Sequence, residues 1–194
     1  MHIEVVPTIH ILKDRGRAFN ERSGLLFIGN LNHKPNLDAV LYLIDQIFPL
    51  VEQEMTDVTL TIVGPGPKEE IERYASERIQ ILGYVPDIDP LLNEARVFVA
   101  PLRFGAGSKG KIGEAMSYGL PCVTTSMGAE SMGLVDGENA MIKDGPREFA
   151  DAVVDLYTDK DLWQAVSDKA YSHIEKNYVP AAFEATVKAA VLGE

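Results

Sequence analysis

The sequence predicts an α/β domain: a doubly wound, Rossmann-like parallel sheet with helices on both faces. Three observations predict it. Apolar runs such as LLFI and VFVA are continuous rather than alternating, as strands buried on both faces require. Each run leads into a loop and then into a stretch of helical apolar period, an alternation repeated about five times along the chain. The loops that follow Gly29, Gly64, Gly83, Pro101 and Thr125 all lie at carboxyl ends of predicted strands, where open α/β sheets bind their ligands.

The elements follow in order. Ile3–Val6 reads as a short strand stopped by Pro7, ahead of a polar run from Lys13 to Ser23. Leu25–Gly29 is a buried strand, followed by the loop NLNHKPN and a helix with apolar period from Leu37 to Phe48, for which Asn36 is the expected N-cap. Val58–Val63 is the second strand, ending in Gly64-Pro65-Gly66-Pro67 before a helix over Glu69–Ser76. That turn fails as a dinucleotide fingerprint, because Glu69 stands where the third glycine belongs and two prolines lack the amides a pyrophosphate would meet. Ile79–Leu82 is a third strand, Ile88–Ala95 a short helix and Val97–Ala100 the central strand. After the loop Arg103–Gly110 come a helix over Lys111–Tyr118, a Gly-Leu-Pro turn and a strand, Cys122–Thr125. A loop through Ser126–Gly133 precedes a last strand at Ala140–Ile142. Helices are predicted at Pro146–Tyr157, Asp161–Asn177 and Pro180–Leu192, with Trp163 as a packing anchor.

The loop Arg103–Gly110 carries the chemistry. Gly105, Gly107 and Gly110 let the backbone turn tightly and approach a ligand, and the first amides of the following helix point into the same space. Lys109 and Lys111 oppose the helix dipole there, so a bound anion explains them better than helix stability does. Glu114 lies one turn in, opposite the core stripe of Ile112, Ala115 and Met116, where a carboxylate can accept hydrogen bonds from sugar hydroxyls. Two other readings stand beside this one. The spacing matches a P-loop until Ile112, which replaces the hydroxyl residue that would hold magnesium. Alternatively, the glycines simply make a turn and the lysines are solvated. His33 has no second His or Cys at a metal-site spacing and reads as exposed loop.

Composition narrows the classes. At 194 residues, with 46% hydrophobic and 24% charged residues, the chain is an ordinary globular one. A formal net charge of −11 argues against nucleic acid as a general partner. Cys122, the single cysteine, excludes an intramolecular disulfide and sits in an apolar run, as an inert buried thiol does. No stretch approaches the ~20 apolar residues of a membrane span, and the N-terminus lacks the apolar core of a signal peptide, so a cytoplasmic location is expected.

The segment GEAMSYGLPCVTT, Gly113 to Thr125, resembles the donor-binding segment of the family 4 retaining glycosyltransferases, the glycosyl transferases group 1 of GT-B fold. The family pattern is a Glu, seven residues, a second Glu, then Ala-Met, Gly-x-Pro and a Val-rich strand. Here the first acid is replaced by Ala106, as in a subgroup with Gly-Ala-Gly-x-Lys-x-Lys, which leaves the contacts to the sugar open. The resemblance implies that Glu114 binds the ribose of a nucleotide diphosphate sugar, with Gly105, Ala106, Gly107, Ser108, Lys109 and Lys111 around it. It implies further that Gly29, Asn30 and Lys34 lie near the diphosphate, that Tyr84 and Val85 border the base, and that Glu130 reaches the donor. Taken residue by residue, a capping Asn, a solvated Lys34 and a packing Tyr84 account for those positions as well. On the same resemblance residues 24–194 are the donor-binding domain, and residues 1–23 are the linker and remnant of an N-terminal, acceptor-binding domain that is its partner. The longer enzyme would transfer a sugar with retention, without metal or cofactor, in the cytoplasm or peripheral to the inner membrane, and this half alone would be inactive. Polysaccharide biosynthesis is the setting this implies. The catalytic residues are not identifiable, since part of the site belongs to the other half. A nucleotide-sugar epimerase of the same fold and a non-catalytic nucleotide-binding module are the alternatives.

Overall fold

The computed structural model describes residues 8–66, 68–107 and 109–184. Six parallel strands form one sheet: β1 Leu25–Ile28, β2 Leu60–Val63, β3 Ile79–Gly83, β4 Val97–Ala100, β5 Cys122–Thr124 and β6 Met141–Ile142. Their spatial order is β3-β2-β1-β4-β5-β6, and every pairing is parallel. The helices are α1 Lys34–Tyr42, α2 Phe48–Glu54, α3 Lys68–Glu72, α4 Asp89–Glu94, α5 Gly110–Ser117, α6 Ser126–Ala129, α7 Pro146–Thr158 and α8 Lys160–Asn177.

The continuous apolar strands are explained by two cores, one on each face of the sheet. Leu25 and Phe27 of β1, with Leu60, Ile62, Val97 and Val99, pack under α1, α2 and α7. Their alternates Leu26, Ile28, Phe98 and Cys122 pack under α4, α5 and α8. Residues two apart on a strand share a face, so a strand covered on both faces has no polar position to spare. β3 sits at the sheet edge, where burial alternates and Leu82 is exposed.

Where the structure departs from expectation the reasons are local. The first helix begins at Lys34 with His33 as N-cap, not at Leu37 with Asn36 as N-cap. Pro35 fits the first turn because its missing amide would have no partner there. Asn36 instead donates its side-chain amide to the Asn30 carbonyl at 2.9 Å. That helix also runs past Phe48, through one π-helical turn at Leu43–Ile47 into α2. Pro49 cannot donate to the carbonyl of Asp45, and the chain accommodates it with a wider turn in which the Phe48 amide bonds Leu43. α3 ends at Glu72, short of Ser76, while Ser126–Ala129 forms a helical turn where only loop was expected; Thr125 caps it by accepting from the Gly128 amide at 3.1 Å. A helix beginning at residue 180 is described only to 184. The predicted strand Ile3–Val6 and the rest of the Pro180–Leu192 helix lie outside the described residues.

The polar run before β1 is docked on the domain. The Lys13 and Gly16 amides donate to the carbonyls of Ser117 and Tyr118, and the His10 amide to that of Tyr178. Phe19 is buried edge-on to Trp163, whose indole donates to the Arg96 carbonyl at 2.7 Å. Arg22 is 1% exposed and donates to the carbonyls of Arg17, Leu92, Ala95 and Tyr118. Burial, and then the nearby Arg17, pull its pKa down to about 10. A buried guanidinium is tolerated because its donors meet carbonyl oxygens.

Candidate functional site

β1 and β4 are adjacent, yet the chain leaves them on opposite faces: α1 covers one core and α5 the other. That makes the gap beyond their carboxyl ends the topological switch point of the sheet. A cleft of about 230 Å³ opens there. Its one wall is Gly29, Asn30, His33, Pro35 and Asn36, and its other runs from Phe104 through Gly105 and Ala106 to Lys109, Gly110 and Lys111.

The first wall is held by the chain's own hydrogen bonds. Asn30 accepts at its side-chain oxygen from the Asn32 amide at 3.0 Å, and its carbonyl accepts from Asn36. Gly64 lies so close that a Cβ would stand 1.8 Å from the Gly29 carbonyl oxygen, so the ends of β1 and β2 meet only because position 64 is bare. Across the cleft, Gly105 and Gly107 adopt positive φ of 126° and 98°, which L side chains rarely adopt. Lys109 curls back and donates to the carbonyls of Gly105 and Gly107 at 3.1 and 3.2 Å. It is 9% exposed, so it both staples the loop and brings positive charge to the cleft wall. Arg103, just outside, pairs with Asp38 of α1 through Nε at 2.9 Å and lies 4.6 Å over the Tyr42 ring, tying the two walls together at the mouth.

A second cleft of about 510 Å³ shares Gly110 and Lys111 with the first. It runs between α5 and the segment Thr8–Lys13, with Glu114 and Tyr118 on its helical side. Glu114 accepts from Lys111 Nζ at 2.7 Å. Burial lowers the pKa of His10 on the facing segment, Glu114 opposing and Lys111 adding to the effect, so its imidazole is neutral at pH 7.

The structure thus gathers Gly29, Asn30, Gly105, Ala106, Lys109 and Lys111 around one cleft and Glu114 in its neighbour. Lys34 is the exposed first residue of α1 and lines neither. Tyr84 is 73% exposed, and Val85 packs against the core under α5; neither faces either cleft. Glu130 lies apart, on an open depression with Ser126 and Ile142. Gly107 stands in the loop beside the first cleft, and Ser108 lies outside the described residues. Sequence reasoning missed His33 and Phe104 as cleft walls and His10 altogether. A histidine in a polar loop carries no signal, although Pro35 two residues after His33 marks a helix start and so places that loop at a helix N-terminus. Among the described residues no group of three His, Cys, Asp or Glu side chains gathers around a possible metal position, and no helix is long and apolar enough to cross a membrane.

Strand order, parallel register and a cleft at the switch point define a Rossmann-like domain of the kind found as the C-terminal half of GT-B glycosyltransferases. Residues 22–159 match the family described as Glycosyl transferases group 1, and the chain belongs to that family. An uncharacterized 44.6 kDa protein in the cps region of Klebsiella pneumoniae is 28% identical over 183 residues, covering 89% of this chain and 47% of that protein. The chain thus spans about half the length of this curated relative. Among solved structures, the C-terminal domain of the glycosyl transferase group 1 family protein LpcC from Francisella tularensis superposes with a TM-score of 0.69 at 16% identity, over 90% of this chain and 96% of that one. Anabaena Alr3699/HepE in complex with UDP and glucose gives 0.67 at 17% identity, over 92% of this chain and 55% of that one. The pneumococcal O-GlcNAc transferase GtfA in complex with UDP and GlcNAc gives 0.71 at 18% identity, over 97% and 38%. At such identities the likeness is one of fold.

Proposed function

We propose that this chain is the donor-binding half of a family 4 retaining glycosyltransferase that takes a nucleotide diphosphate sugar. The observation that carries the proposal is the first cleft. Glycine backbone, the amino end of α5 and a nearly buried Lys109 meet at the switch point of the sheet, which suits a diphosphate. In the reaction the bond from the anomeric carbon to the diphosphate oxygen breaks. A bond from the acceptor oxygen to that carbon forms on the face the diphosphate leaves, and the proton of the acceptor hydroxyl passes to the departing diphosphate oxygen. Charge builds on the departing diphosphate, where Lys109, Lys111 and the helix amides stabilise it, so no metal is required. The acceptor is bound by a preceding domain, residues up to 23 lead in from it, and this half alone transfers no sugar. Glu114, in the second cleft and paired with Lys111, is the residue that on this reading accepts from the ribose hydroxyls. UDP is the first nucleotide to try, since both HepE and GtfA hold it on the same fold.

Calorimetric titration of the chain with UDP and UMP tests this. Glu114→Gln is expected to weaken both by about 1–3 kcal/mol, the range for a charged hydrogen-bond acceptor. Lys109→Met is expected to weaken UDP far more than UMP, and a chelator is expected to change neither. If both substitutions leave both affinities unaltered, the loop is only a turn. If chelation abolishes binding, the metal-free account is wrong.

A further inference from the structure

Arg103 and Asp38 meet across the mouth of the first cleft, yet neither lines it. Arg103 opens the glycine loop that follows β4, and Asp38 lies one turn into α1. The guanidinium engages both carboxylate oxygens, Nε donating to one at 2.9 Å and Nη2 donating to the other. Its central carbon lies 4.6 Å from the centre of the Tyr42 ring. Tyr42 is itself fixed, for it is buried and its hydroxyl donates to the Asp144 carbonyl at 3.2 Å. The Asp144 carboxylate in turn accepts from the amide and hydroxyl of Ser126, at 2.8 and 2.7 Å. A guanidinium with its fork engaged and its face over a ring has little freedom left, unlike an ordinary surface cation.

Stability alone does not account for such a pair. The Arg103 side chain is 46% exposed, and exposed ion pairs add little to the folded state. What the pair supplies is placement. The loop it holds contains Gly105 and Gly107, residues with the most backbone freedom to lose. Leu102, just before Arg103, is held from the side of β5, its carbonyl accepting from the Thr125 hydroxyl. Just after, Gly105 sits against α1, where a Cβ would stand 3.1 Å from Cβ and Cγ of Pro35. The cleft wall of Phe104, Gly105, Ala106 and Lys109 therefore starts from a point anchored on both sides.

Resting on the donor-site reading above, we propose that Arg103 is a positioning residue for the donor diphosphate: through Asp38 and Tyr42 it holds the glycine loop in the shape the diphosphate meets. Arg103 acts through the loop and does not touch the ligand. Order imposed in advance spares the entropy that binding would otherwise cost.

The sign of one substitution separates this role from direct attraction of an anion. Asp38→Asn removes a negative charge from the cleft mouth and frees Arg103, so attraction alone would tighten the binding of an anion, whereas loss of the brace weakens it. UDP and inorganic pyrophosphate are titrated into the wild-type chain and into Asp38→Asn, Arg103→Gln, Arg103→Lys and Lys109→Met, with a melting curve for each. Asp38→Asn and Arg103→Gln are each expected to weaken both ligands about threefold to tenfold, the scale of ordering one or two more groups on binding. Their melting midpoints are expected to stay within about 4 °C of wild type, as for an exposed pair. Arg103→Lys, which keeps the charge without the fork, is expected to recover part of the loss. Tighter or unchanged binding in Asp38→Asn would overturn the positioning role, and so would weakening that comes only with a larger fall in the melting midpoint. The donor site would survive either result as long as Lys109→Met still weakens UDP. Absence of binding of both ligands to the wild type would overturn the donor-site reading and this inference together.

Discussion

Lys109 shows how one side chain can hold a loop and line a cleft at once. An ammonium that is nine-tenths buried needs acceptors, and two carbonyls of the glycine loop supply them. The sequence placed a cation here, but that it holds the loop was not legible, because a backbone acceptor has no letter of its own. Glu114 and Lys111 were read as contacts to opposite ends of one nucleotide; they are partners of each other before any ligand arrives. Their substitutions are therefore coupled, and Lys111→Ala alone leaves a carboxylate without its counter-charge. His10 gives a prediction at the same scale. Its pKa in the folded chain lies below the usual 6.5, through burial first, with Lys111 adding to and Glu114 opposing the shift; the rings of Tyr178 and, through it, His173 lie behind it. The unfolded chain therefore takes up a proton that the folded chain resists. The stability this contributes is fully present above about pH 6.5 and is lost as pH falls below it. Urea midpoints at pH 7.5 and 5.5 are expected to fall further for wild type than for His10→Gln, and equal drops would contradict the assignment of that shift.

At the scale of elements, strand identity was legible because burial on both faces forces unbroken apolar runs, as in β1 and β4. Helix bounds were less so where backbone and side-chain needs compete. Asn36 has the chemistry of an N-cap but is committed to the Asn30 carbonyl, and Pro35 already marks the first turn. The π turn ahead of Pro49 was also missed, because the apolar period runs straight through it. The approach of β1 to β2 depends on Gly64, whose φ is 142° and whose missing Cβ would collide with the Gly29 carbonyl. Gly64→Ala is expected to destabilise the chain by about 2–5 kcal/mol, backbone strain and overpacking together. A thermal or urea melt checks it, and a loss below about 0.5 kcal/mol, the range of neutral surface changes, would show that the two strand ends separate easily.

On the whole molecule, a formal charge of −11 surrounds a cleft whose wall carries Lys109 and Lys111. A small anion fits that arrangement, and a net charge of this sign disfavours the polyanionic backbone of nucleic acid as a partner. The sheet order positions the first cleft: β1 and β4 meet at the centre, their helices diverge, and the gap lies between. That the sheet would be doubly wound could be read from the alternation of elements. That a second cleft would adjoin the first at Gly110 and Lys111 could not, because it is walled by a segment that reads as a polar linker.

The central claim is that a nucleotide lies across both clefts, and amide chemical-shift mapping of the 15N-labelled chain during titration with UDP tests it most directly. Shifts are predicted to concentrate at Gly29, Asn30, Gly105 to Lys111 and Glu114. Shifts that leave these residues unmoved, or that are absent at saturating UDP, would contradict it.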